Sequence, residues 1–322
     1  MIARIIGFLV FVSFTTCYDS ATLRRAQKLH ATTLLIDGHN DLPLQYRSRG
    51  YNLDALPIHT NLTGIVQTDI QRLRQGGVGG QFWSVYIGCN FQDLNAVQAT
   101  MEQIDIVYQM QHRYPETFQI ATTADEVESA YASGRIASLL GIEGGHQIDT
   151  SLGTLRMFFR LGVRYMTLTH NCNTPWSDAQ SEAPVNGGLS DFGREVIHEM
   201  NRLGMMVDIS HTSHVTMRDA LDFSVAPIIF SHTCLYNFVA IERNAPDDVI
   251  FRLQANGGIA MVTFVASFMT PNGIATVADV VDQIDRIVLL AGIDHAGLGG
   301  DYDGTNSLPI GMEDVSGYPL IT

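Results

Sequence analysis

Apolar, β-branched and aromatic residues gather in short runs along this chain, and between the runs apolar positions return every three or four residues. The runs are Leu34 to Asp41, Gly80 to Gly88, Ile136 to Glu143, Val163 to His170, Met205 to His211, Pro227 to His232, Gly258 to Phe264 and Ala296 to Asp301, eight in all. Short apolar runs alternating with helical periodicity are the pattern of βα units wound around a parallel sheet. The intervening helices are legible too. Between Thr276 and Gly292, Val277, Val280, Val281, Ile284, Ile287 and Val288 fall on one helical face, and Gly292 ends the pattern. Asn95 to Tyr114, Asp191 to Leu203, Thr216 to Phe223 and Asp247 to Ala255 behave alike, the last opening after Pro246 with two carboxylates in its first turn.

Eight strands with crossover helices predict an α/β fold closed as a (β/α)8 TIM-type barrel, since closure removes the edges that an open sheet must protect. The eighth helix is missing from this pattern. Tyr302 to Thr322 hold two prolines, three glycines and no helical periodicity, so the barrel reads as C-terminally incomplete.

The first residues change the picture of the domain. Met1 to Arg4 carry one positive charge, and Ile5 to Phe14 form an apolar run too short to span a bilayer comfortably. This predicts a signal peptide over 1–17 and a single barrel domain over 18–322; a buried N-terminal helix or a membrane anchor is the other reading of the same pattern. A secretory route makes Asn61-Leu62-Thr63 a glycan acceptor, with Asn61 the modified residue. With Cys17 in the signal, Cys89, Cys172 and Cys234 predict one bridge and one thiol that is free or paired between chains. Charge sets a further bound. Lys and Arg total 19 and Asp and Glu 33, so the net charge of −14 repels a phosphate backbone and excludes nucleic acid as a partner.

In such barrels chemistry sits at the C-terminal ends of the strands. Here six runs end in ionisable residues: Asp37-Gly38-His39-Asn40-Asp41, Glu143-Gly144-Gly145-His146, Thr169-His170-Asn171, Asp208-Ile209-Ser210-His211, Ser231-His232 and Asp301-Tyr302-Asp303. His39 and Asp41 are two apart, share a face of an extended strand, and can grip one ion together. His211 and His232 can grip a second. Glu143, with glycines beyond it, can bridge the two, and a metal pair sharing a water presents hydroxide to a carbonyl. A lone strand-end histidine is ordinarily a hydrogen-bonded rim residue; six such ends in one chain argue for a site. Lys28 is the only lysine and precedes the first strand, which excludes a Schiff-base mechanism and a carboxylated-lysine bridge. His198-Glu199 lacks the second histidine of a zinc-protease helix, because Arg202 stands in its place, and reads as a solvated helix face. His30, His59, His112, His214 and His295 lie off the strand ends.

Those motifs, with Arg243-Asn244-Ala245-Pro246-Asp247-Asp248 and Gly299-Gly300-Asp301-Tyr302-Asp303-Gly304, closely resemble the membrane dipeptidase family over nearly the whole mature chain. The resemblance implies a zinc-dependent dipeptidase holding two Zn2+ ions, with His39, Asp41 and Glu143 on one and Glu143, His211 and His232 on the other. It implies that His170 stabilises the oxyanion, that Arg243 holds the substrate carboxylate, and that Asp301 carries the proton from the attacking water to the leaving amine. From sequence alone Arg243 reads instead as a helix-start residue paired with Asp247 or Asp248. Tyr86 is expected to line the substrate site, although an aromatic there is also ordinary barrel packing. By resemblance Cys89 pairs with Cys172, and dipeptides are the substrates. The family resemblance also implies a homodimer and a lipid anchor at the outer cell surface, but this chain ends at Thr322 with no hydrophobic anchor signal. Phe268 stands where the family commonly has a substrate-side tyrosine. Two other functions fit parts of the pattern: an inactive secreted binding protein built on the incomplete barrel, and a binuclear amidohydrolase acting on cyclic amides.

Overall fold

The structure, a computed structural model, describes residues 20–322; the signal-peptide expectation for 1–17 lies outside the described residues. Nine parallel strands form one sheet: β1 (Leu35–Asn40), β2 (Val78–Tyr86), β3 (Phe118–Ile120), β4 (Ile136–Glu143), β5 (Val163–Thr167), β6 (Met206–Asp208), β7 (Ile228–Thr233), β8 (Ile259–Val262) and β9 (Ala296–Leu298). The order is β2-β1-β9-β8-β7-β6-β5-β4, and β2 pairs with β4 from Gly80↔Ala137 to Tyr86↔Glu143, which closes an eight-stranded (β/α)8 barrel. All eight expected runs are barrel strands. The ninth, β3, has no counterpart in the sequence reading. It pairs only with the lower end of β4, at Ile136 to Ser138, while β5 takes the upper end from Leu140 to Glu143. Three residues are too short a run to show a period.

Alternation along β4 shows how the barrel is filled. Ile136, Leu140 and Ile142 point outward into the core beneath the helices, whereas Ala137 and Leu139 join Phe82, Tyr165, Ile229 and Met261 inside. Glu143 has the inward parity and ends the strand, so the pleat delivers its carboxylate to the upper mouth. Gly141 lies between on the same face. A Cβ there would stand 2.0 Å from the Tyr165 ring, which makes glycine the condition for that ring to cross the barrel.

The expected helices appear as Ala96–Arg113, Asp191–Leu203, His214–Phe223, Asp247–Asn256 and Val277–Ala291. Thr276 and Asp279 form a reciprocal capping box at the last of these, satisfying two amide donors that the helix leaves unpaired. Shorter helices that the periodicity did not resolve include Leu42–Arg47, Ala124–Ala132 and Leu152–Arg160.

After β9 the described chain has no α-helix, yet the barrel is not left bare there. The segment beyond Asp301 folds back and buries Met312, Val315 and Tyr318. The Tyr318 hydroxyl donates to Asp37 Oδ2 at 2.5 Å, and its ring meets those of Phe264 and Tyr302. Leu35 and Leu298 on β1 and β9 are half-buried as a result. Side chains of this irregular segment thus cover part of the barrel where no helix follows β9. Among the described residues no helix is long and apolar enough to cross a membrane.

Candidate metal centre and active site

Six strand ends converge at the upper mouth. His39 is the last residue but one of β1, Asp41 immediately precedes the helix that follows, Glu143 closes β4 and His232 lies in β7. His170, His211 and Asp301 sit three residues past β5, β6 and β9. His211 and Asp301 both have φ of 62°, a left-handed conformation that costs a non-glycine residue about 1–3 kcal/mol and that is retained here to aim side chains into the mouth. Gly304 clears space for two carboxylates: a Cβ there would meet Asp41 Oδ2 at 2.3 Å and Asp301 Oδ1 at 2.5 Å.

Glu143 stands at the middle. Its Oε2 is 3.4 Å from His39 Nε2, and His39 Nε2 is 3.3 Å from Asp41 Oδ2. Its Oε1 is 3.2 Å from His211 Nε2 and 3.3 Å from His232 Nε2. One carboxylate thus faces two donor groups, His39 with Asp41 on one side and His211 with His232 on the other, and each triad is compact enough to hold an ion. The donor chemistry fits divalent metal: three imidazole nitrogens, carboxylate oxygens and no thiolate. Buried His39 Nε2 and Asp41 Oδ1 have no hydrogen-bond partner in the protein. His211 and His232 bring their Nε2 atoms to within 2.9 Å of each other, on the same side of Glu143.

Electrostatics separate the roles. Burial alone would raise Glu143, but His39 and His170 beside it and the hydrogen bonds of His211 and His232 outweigh that and hold its carboxyl well below the usual range. Burial, with Arg243 nearby, keeps His211 and His232 well below the usual histidine value, so both offer lone pairs at neutral pH. Burial pushes Asp301 well above the ordinary carboxylate range. His170 is lowered, chiefly by burial, and its Nε2 lies 3.8 Å from Glu143 Oε1 at the wall of the cleft.

That cleft has a volume of about 380 Å3 and is lined by Asp41, Tyr86, Glu143, His170, His211, Phe268 and Asp301, among others. The Tyr86 ring lies 4.7 Å from that of His170, tilted by 60°, on the wall of the cleft. A larger cavity of about 520 Å3 lies beyond Gly304 and Thr305, between Gln67 and Asp314, and carries none of the clustered donors.

Arg243 is 5% exposed and does not pair with either expected aspartate. Asp247 engages Arg286 and Asp248 engages Arg218. Instead the Arg243 Nη2 donates to His232 O at 2.9 Å, the guanidinium lies over the Phe268 ring, and Nε and Nη1 have no protein partner. The helix-start reading fails because the loop from Thr233 to Pro246 carries Arg243 inward, with Asn244 tied to Leu235, Val239 and Phe268 carbonyls.

The family model for membrane dipeptidases, peptidase family M19, matches residues 23–322. The chain belongs to the membrane dipeptidase family. Solved structures agree in fold. A dipeptidase designated AC, a metallopeptidase of family M19, is 25% identical over 90% of each chain with a TM-score of 0.82. A Rhodobacter sphaeroides metallopeptidase, solved with a phosphinate mimic of the dipeptide L-Ala-D-Ala, is 24% identical over 89% of this chain and 91% of its own, with a TM-score of 0.81. A probable dipeptidase, PvdM, from Pseudomonas aeruginosa is 20% identical over 94% and 92%, with a TM-score of 0.85. Membership makes this chain a metallopeptidase and implies a metal cofactor.

Outside the centre, this membrane dipeptidase family member joins Cys89 to Cys172, tying the exit of β2 to the loop after β5, and leaves Cys234 buried and unbridged. His146, which ends the same motif as Glu143, does not reach the donor cluster. It lies against the disulfide with Nε2 on the Ile87 carbonyl, and burial lowers it to about 4. His198 is exposed and Glu199 pairs with Arg202 and Arg156, as a solvated helix face should. Asn61 is exposed in a loop. No local pattern singles out Ser84, which donates to Glu143 Oε2 at 3.1 Å, or Tyr165, Asn171, Asp208 and Ser231, which contact the histidines or their partners. Asp208 and Ser231 stood inside the quoted motifs, so their position was visible although their contacts were not.

Proposed function

We propose that this protein is a zinc-dependent dipeptidase with two Zn2+ ions per chain, one on His39, Asp41 and Glu143 and the other on Glu143, His211 and His232. The observation that carries the reading is Glu143, whose two oxygens face two separate donor groups across one carboxylate. Bound there, the ions supply a water acidic enough to act as hydroxide at neutral pH and polarise the scissile carbonyl.

The remaining work falls to the chain's own groups. Arg243 brings two unpaired N–H donors to a buried position beside the cleft, the geometry for a free α-carboxylate. Anchoring that carboxylate one residue from the scissile bond restricts the substrate to dipeptides, since a longer C-terminal extension moves the charge out of reach. His170 presents Nε2 next to Glu143, where a carbonyl oxygen gains charge. Asp301, raised by burial, keeps a proton on its carboxyl between accepting it from water and passing it to the leaving amine. Phe268 covers the guanidinium face and adds a cation–π contact without a hydroxyl of its own. The reading places the mature enzyme in the secretory route, with Asn61 glycosylated, and it includes the homodimer and outer-surface location usual in the family.

The test is hydrolysis of a Gly-D-amino-acid dipeptide by purified protein before and after exhaustive chelation. Expected is loss of nearly all activity on chelation and its return with two equivalents of zinc; turnover indifferent to chelation refutes the proposal.

A further inference from the structure

We infer that Ser231, with Asp208 behind it, is a positioning residue that fixes the tautomer of His232 so that its Nε2 lone pair faces the centre; the inference rests on the metal reading above. A histidine can ligate through Nε2 only if its single ring proton sits on Nδ1, and free imidazole does not enforce that choice.

The proton count decides it here. Asp208 is fully buried and receives five donors: the Ser210 and Ser231 amides at 3.1 and 2.8 Å and the Ser210 hydroxyl at 2.9 Å on Oδ1, and the Thr167 and Ser231 hydroxyls at 2.5 and 2.6 Å on Oδ2. Ser231 has one hydroxyl proton, and Asp208 takes it. Toward His232 Nδ1, 2.8 Å away, the same oxygen can then only accept. Nδ1 must carry the hydrogen, and Nε2 is left bare. Asp208, Thr167 and Ser231 come from three adjacent strands, β6, β5 and β7, so the acceptor is held by the barrel and not by a loop.

The other two donors obey the same logic by different means. His39 Nδ1 lies 3.0 Å from the Tyr165 hydroxyl, whose proton goes to the Gly38 carbonyl at 3.1 Å. His211 Nδ1 lies 3.3 Å from Asn171 Oδ1, which also accepts from Gln180 Nε2 at 2.8 Å. Three neighbouring acceptors on three histidines turn every Nε2 inward.

The experiment uses the full chain labelled with 15N-histidine, with His232 assigned through a His232→Asn variant. Long-range proton–nitrogen correlation on the wild-type protein, metal-free and zinc-loaded, should show His232 Nδ1 protonated. In parallel, zinc affinity by competition with a chromophoric chelator should fall about 10- to 100-fold in Ser231→Ala and in Tyr165→Phe, while the metal-free variants keep the wild-type circular dichroism spectrum. A wild-type His232 protonated on Nε2 overturns the inference, and that reading needs no variant to fold. So does a folded Ser231→Ala binding zinc within twofold of wild type. Absence of zinc binding by the wild type overturns the metal reading and this inference together, whereas zinc bound with His232 in the other tautomer overturns the inference alone.

Discussion

Arg243 offers the sharpest test of substrate recognition. Its guanidinium is 5% exposed and spends one nitrogen on the His232 carbonyl, which leaves Nε and Nη1 buried without partners. Each such donor costs about 1–3 kcal/mol while it stays unpaired, and a substrate carboxylate bound by both removes that cost and adds a charge-assisted pair. Replacing Arg243 with Leu should therefore lower kcat/KM for a dipeptide by about 3–4 kcal/mol, or roughly 140- to 700-fold at about 1.4 kcal/mol per decade. The loss should appear mainly in KM, because the carboxylate is held equally in ground and transition states. The same variant removes an uncompensated buried charge, so its melting temperature should match or exceed the wild type. The assay is a two-by-two cycle: wild type and Arg243→Leu, each with a dipeptide and its C-terminal amide. Amidation should cripple the wild-type reaction and cost the variant nothing further. If amidation still costs the variant more than threefold, or the variant keeps kcat/KM within threefold on the free acid, Arg243 does not read the carboxylate.

Other consequences are independent of substrate. His146 is lowered by burial to about 4 against an ordinary value near 6.5; the unfolded chain binds the proton more readily, so stability present above about pH 6.5 is lost as pH falls toward 4, by about 3 kcal/mol. Denaturant midpoints across that window should show the fall, and His146→Gln should flatten it. Cys89 and Cys172 close a loop with a separation of 83 residues, so Cys89→Ser with Cys172→Ser should cost about 4.5 kcal/mol by loop entropy, read as a lower urea midpoint. Gly141→Ala puts a methyl 2.0 Å from the Tyr165 ring, and should destabilise by about 1–3 kcal/mol. It should also weaken zinc retention, because Tyr165 contacts His39.

Much of this molecule was legible in the chain. A strand's period of two and a helix's period of 3.6 are local properties, so the eight barrel strands and the long helices could be read directly. The barrel rule then placed functional residues at strand ends, which is why His39, Asp41, Glu143, His211 and His232 could be named together. In the fold the other four donors lie around Glu143. What only tertiary structure decided were relations between residues distant in sequence. Arg243 could be assigned from local pattern only to its nearest aspartates; the loop that carries it inward is held by Asn244 bonding to its own loop's Leu235 and Val239 carbonyls and to that of Phe268 beyond β8. The segment after β9 has no period at all, yet Tyr318 reaches Asp37 across 281 residues and covers the barrel there. His146 ends the same motif as Glu143, and only the turn through Gly144, at φ of 117°, sends it away to the disulfide. The acceptors behind the histidines were invisible for the same reason: a hydrogen bond from Ser231 to Asp208 depends on the register of two strands, and register is a property of the closed barrel.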